Sequence, residues 1–167
     1  MSTSKTTDWT LIPGSKHEIE QVRERCRRMV RRRATMSAGV SAMPLPGIDV
    51  VSDVGLFTVL IDEINQEFGL TPEQIERLNP QFKLMAYKAA VGMGGVLVGK
   101  LVTRELILSL LKRSGVKILA KQATRFVPLA GQVAAAAIGY AVFRQIGYHH
   151  VDACAVVAQE LLPVRPQ

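Results

Sequence analysis

Aromatic residues are scarce in this chain: one Trp, three Tyr and five Phe make up 5% of its 167 residues, so any core must be built mainly from small and aliphatic side chains. Cysteine is scarcer still. Cys26 and Cys154 fall far short of a disulfide framework, and the first ten residues are polar and unlike a secretory signal, so a reducing, cytosolic side is expected. Disorder is excluded by the 48% apolar content and the mean hydropathy of +0.17. No catalytic apparatus stands out, which makes a non-enzymatic protein without a cofactor the expectation.

What the sequence does have is positive charge in one place. Residues 1–33 carry nine Lys/Arg against four Asp/Glu, whereas residues 34–167 carry twelve against ten. Arg23, Arg25, Arg27, Arg28, Arg31, Arg32 and Arg33 put seven guanidinium groups in eleven residues, with Glu24 as the counter-charge among them. Such a run repels itself unless anions are near, and arginine suits bidentate phosphate contacts. Lipid headgroups, nucleic acid and an acidic protein surface are the three candidate anions, beside a plain solvated helix face.

Along the chain, residues 1–14 read as a flexible polar arm with Trp9 able to pin it to the body, residues 15–162 as a single helical domain, and 163–167 as a tail. Ser15 and Glu18 have capping-box spacing, and Ile19, Val22, Cys26, Met29 and Val30 recur at helical steps. This first helix should stop before the corner Pro44-Leu45-Pro46-Gly47. A second apolar helix is expected from about Ile48 to Phe68, with Asp49 and Asp53 near its start and Gly69 as a left-handed cap. Thr71-Pro72-Glu73-Gln74 starts a short helix to about Leu78. A long stretch from Phe82 to about Leu111 is also expected to be helical, with glycines at 92, 94, 95 and 99 for close packing. A short basic helix follows Ser114-Gly115, and the last helix runs from Pro128 to about Leu162. Within it, Gly131, Ala135 and Gly139 form a small-residue seam. The uncharged window Phe126–Phe143 is 18 residues, the lower limit for crossing a bilayer, although Pro128 and Gln132 weaken that case.

Pro44, Leu45, Gly47 and Gly55 match Pro128, Leu129, Gly131 and Gly139 at an offset of 84. The expected fold is therefore all-α, a helical bundle of two pseudo-repeated apolar hairpins with Pro/Gly corners. The order Ala42-Met43-Pro44-Leu45-Pro46-Gly47-Ile48-Asp49, an apolar helix, Phe68-Gly69-Leu70 and a second Pro-x-x-Gly corner resembles the GTPase-associated helical domain family of unknown function. The resemblance spans roughly residues 25–150. Members of that family commonly follow a small GTPase domain or occur in bacterial inner-membrane proteins, and are similar in character to the C-terminal helical domain of immunity-related GTPases. Their motif positions map onto Pro44, Pro46, Gly47 and Asp49, and onto Gly69, Pro128, Gly131 and Gly139, none of them catalytic. The resemblance implies a membrane-associated or GTPase-partnering module. This chain differs from the fused members in carrying no GTPase domain, which weakens a nucleotide-linked role.

Three possible chemical sites have plainer explanations. Gly94–Lys100 fits G-x-x-x-x-G-K, but Leu101 stands where a phosphate loop needs Ser or Thr, and no strand precedes it. Tyr148, His149, His150, Asp152 and Cys154 hold ligand-type side chains, and His150 and Cys154 share a helix face. A zinc site would still need His17 or Cys26 from the first helix, so a polar patch on the last helix is the simpler expectation. Asp49 and Asp53 read as dipole or arginine partners rather than an acid and base pair.

The leading expectation is a helical protein bound to an anionic membrane surface on the cytoplasmic side, through the basic helix and apolar hairpins, with a separately encoded GTPase as a further partner. The alternative is a soluble helical adaptor for another protein, an effector, toxin or GTPase. Nucleic acid is disfavoured because the arginine run has no recognition motif and only Trp9 nearby to stack on a base. The small-residue seams favour homo-oligomerisation.

Overall fold

The computed structural model of the protein describes residues 9–41, 49–92, 109 and 128–164. Among them the fold is all-α, with no strand and five α-helices: α1 (Lys16–Ser41), α2 (Asp49–Glu67), α3 (Pro72–Glu76), α4 (Pro80–Gly92) and α5 (Pro128–Leu161). Short 3-10 turns at Trp9–Leu11 and Leu162–Val164 flank them. Three of the five helices begin on proline, whose fixed φ suits a first turn in which its missing N–H costs nothing.

The capping signals in the sequence become contacts. Ser15 Oγ accepts from the Glu18 amide at 3.1 Å, while the Glu18 carboxylate reaches one residue further back than a standard box and accepts from the Gly14 amide at 2.7 Å. At α3 the box is complete: the Gln74 amide donates to Thr71 Oγ1 and the Thr71 amide donates to Gln74 Oε1. The turn that closes α2 contains Gly69, whose φ of +68° lies in the left-handed region. A Cβ there would also overlap the Leu11 carbonyl group and come within 2.9 Å of the Ile12 nitrogen. The turn after α2 is thereby pressed onto residues 11–12, and Ile12 is buried. Trp9 meets Phe82 edge to face, ring centroids 5.6 Å apart, so this end of the segment read as an arm is pinned to the body through Trp9.

The described residues fall into two compact units, and each of the three long helices contributes to both. Unit 1 comprises residues 9–27, 61–92 and 149–164; unit 2 comprises 28–41, 49–60, 109 and 128–148. The core of unit 1 gathers Ile19, Val22 and Cys26 of α1, Ile61 and Ile64 of α2, Phe68 just after it, Ile75 of α3, and Val151, Val157 and Leu161 of α5. Burial of each large aliphatic or aromatic side chain contributes about 1.5–3 kcal/mol. In unit 2, Phe57 and Phe143 meet edge to face at 4.9 Å, and Val30, Ala34 and Leu60 are buried.

The glycine packing differs from the sequence expectation. An added Cβ at Gly92 or Gly139 would meet nothing within 4 Å, so neither is a close-approach position. The close approach is at Gly147, where a Cβ would come within 2.7 Å of Val30 Cγ1. Among the described residues no helix is long and apolar enough to cross a membrane. Asp49 and Pro128 are the first residues of α2 and α5, and Gly131 lies in the first turns of α5. Pro44, Pro46 and Gly47 lie outside the described residues, as do Gly94–Lys100, most of the expected helix beyond Gly92, and the short basic helix.

Candidate functional site: the arginines of α1 and a buried polar cluster

The seven arginines divide into two groups along α1. In unit 1 they are committed to carboxylates. Asp152 on α5 takes Arg23 at 2.9 Å and Arg27 at 3.0 Å through the same oxygen, Oδ1. Arg25 pairs with Glu67 at 3.2 Å, and Glu20 and Glu24 approach Arg23 and Arg27 from the preceding turn of α1. Asp152 thus anchors α5 to α1 within unit 1. In unit 2 the arrangement changes. Arg28 and Arg32, four residues apart on one face, are exposed and have no carboxylate partner among the described residues. Arg31 Nη1 donates to the Tyr148 hydroxyl at 3.1 Å, and Arg33 is half-buried. Across α5, Arg144 lies over the Tyr140 and Tyr148 rings at 5.7 and 5.9 Å from their centroids.

The polar cluster on the last helix is largely an interior feature rather than a surface patch. His150 and Cys154 are buried, while His149 is exposed and Asp152 is spent on the arginines. Their common partner is Asn65 of α2, also fully buried: Asn65 Oδ1 lies 3.0 Å from His150 Nε2 and 3.6 Å from Cys154 Sγ. An imidazole donating from Nε2 satisfies this geometry. Burial holds His150 neutral, with its pKa lowered to about 3, the neighbouring His149 adding to the effect. Burial likewise pushes the Cys154 thiol well up, and the Cys26 thiol up to about 12 with help from Glu67. Both cysteines are free and held as thiols, the poorly nucleophilic form. No group of three His, Cys, Asp or Glu among the described residues is placed to hold a metal, and His17 bonds Gln21 at the far end of α1.

Comparison with protein-family models, characterised proteins and solved structures found no match.

Asn65 does not stand out in the sequence as a functional residue, yet it leaves a trace there. It follows the buried Ile61 by one turn on α2, where an amide must find a buried partner. Unit 1 also has an open groove of about 540 Å³, between α4 and the end of α5, lined by Gln81, Met85, Lys88, Ala89, Val156 and Glu160.

Proposed function

We propose that the protein is a non-enzymatic helical module that binds the anionic surface of a membrane on its cytoplasmic side through the second half of the basic helix α1. One observation carries this reading: Arg28 and Arg32 are solvent-facing with no carboxylate partner among the described residues, while Arg23, Arg25 and Arg27 are neutralised. An arginine close to an anionic bilayer contributes about 1 kcal/mol, and the attraction decays within a Debye length. The resemblance of the Pro/Gly corners adds a separately encoded GTPase as a partner of the bound form, and makes apolar hairpins a second contribution to binding.

Vesicle flotation tests it. The protein should float with phosphatidylserine-containing vesicles at low salt, lose binding as salt rises, and stay down with neutral vesicles. Arg28→Ala with Arg32→Ala should weaken binding about thirtyfold. Absence of binding to anionic vesicles at low salt would refute the membrane reading.

The groove in unit 1 favours a second reading, a soluble adaptor for another protein. Leu84 and Val91, exposed at 55% and 77%, share α4 with the groove residues Met85 and Ala89.

A further inference from the structure

Helix α4 is built the wrong way round for a helix whose outer face meets only water. Its buried residues are Ala86 and Ala90, while the larger aliphatic side chains Leu84 and Val91 are largely exposed. Leu84, Lys88 and Val91 follow one another at steps of four and three, so they form one stripe along α4. A surface helix normally turns its large apolar residues inward, and an outward stripe leaves apolar area to be covered. Beside the stripe runs the groove of about 540 Å³, with Met85 and Ala89 of α4 and Val156 of α5 in its lining. Lys88 on α4 and Glu160 on α5 line it too. Both are exposed, and no ion pair joins them to each other or to any other described residue.

We propose that this groove is a self-association surface, occupied by α4 of a second copy of the chain. Opposite charges held apart on the two helices that border one apolar groove are complementary to the same groove turned through a half-rotation. A two-fold axis there brings Lys88 to the partner's Glu160 and Glu160 to the partner's Lys88, and it covers the Leu84 and Val91 stripe of both protomers. Each attractive contact therefore occurs twice. A contact of one 13-residue helix and the groove beside it is small against the roughly 800 Å² per partner of a standard interface, so the dimer should be reversible and concentration-dependent. The proposal goes beyond the membrane reading and does not depend on it, because the groove residues belong to unit 1 and Arg28 and Arg32 to unit 2. A groove occupied in this way is closed to the other protein of the adaptor reading.

Sedimentation equilibrium of the full chain, from low micromolar to submillimolar loading, tests the surface. The wild type should pass from monomer to dimer over this range. Lys88→Glu sets carboxylate against carboxylate at both contacts, and Glu160→Lys sets ammonium against ammonium. Each variant should associate about tenfold more weakly and melt with the wild type, since both positions are exposed. Mixed in equal amounts, the two variants should recover wild-type association, because the heterodimer regains opposite charges at both contacts. Neither a partner of another sequence nor a dimer through a different surface gives that recovery. Leu84→Asp should leave the protein monomeric at every loading with its melting temperature unchanged. A wild type that stays monomeric throughout would overturn the proposal and return the groove to a different protein. A dimer that both charge variants leave intact would overturn it as well, as would a mixture that associates no more tightly than the variants alone.

Discussion

At position 150 an imidazole sits fully enclosed beside an amide and a thiol, all three neutral. In the unfolded chain this histidine takes up a proton near pH 6.5; in the folded protein it resists protonation down to about pH 3. Between those values the unfolded state binds more protons, so stability contributed by neutral His150 is complete above about pH 6.5 and is lost as the pH falls through that window. The slope reaches at most about 1.4 kcal/mol per pH unit. Urea unfolding from pH 7.5 to 4 should show this fall, and His150→Gln, which cannot titrate, should flatten it. An unchanged slope in the variant would place the acid sensitivity elsewhere.

At the scale of the helix, Gly147 and Val30 decide how closely α5 approaches α1 within unit 2. Alanine at 147 would gain up to about 1 kcal/mol in helix propensity but force a methyl into the buried Val30 side chain, and overpacking of that kind costs about 1–3 kcal/mol. Gly147→Ala should therefore destabilise the protein. Val30→Ala in that background should recover part of the loss, read as a positive coupling in a double-mutant cycle. The sequence could not single out this glycine. A helical glycine has the same local signature whether solvent or another helix faces it, and Gly139, which completes a small-residue seam, faces open space. Helix ends were legible because their signals are local: Thr71 with Gln74, and Gly69 after Phe68, need only neighbours a few residues away. The periodic face Ile19, Val22, Cys26, Met29 and Val30 was legible for the same reason, and all but the half-buried Met29 are buried. The pairing of Asn65 with His150 was not, because 85 residues separate two ordinary-looking polar positions.

Over the whole molecule, the all-α class follows from those local signals, whereas the division of the arginines does not. Their spacing on α1 is continuous, and the approach of Asp152 and Glu67 from other helices, added to Glu20 and Glu24 of α1, separates the neutralised group from Arg28 and Arg32. The two units are interleaved along the chain, so neither corresponds to a contiguous fragment.

The meeting of the first helix with the last has a kinetic consequence. Helical proteins usually fold fast because their contacts are local, but here Arg23 and Arg27 reach Asp152 across 129 and 125 residues, and Arg31 reaches Tyr148 across 117. Closing loops of that length consumes chain entropy before the contact repays it, so the expected order puts this pairing on the native side of the rate-limiting barrier. Asp152→Ala, at a cost of about 1 kcal/mol for this part-exposed pair, should speed unfolding about fivefold and leave the folding rate nearly unchanged in a denaturant chevron. Slower folding instead would mean that the chain brings its two ends together first and builds the middle around them.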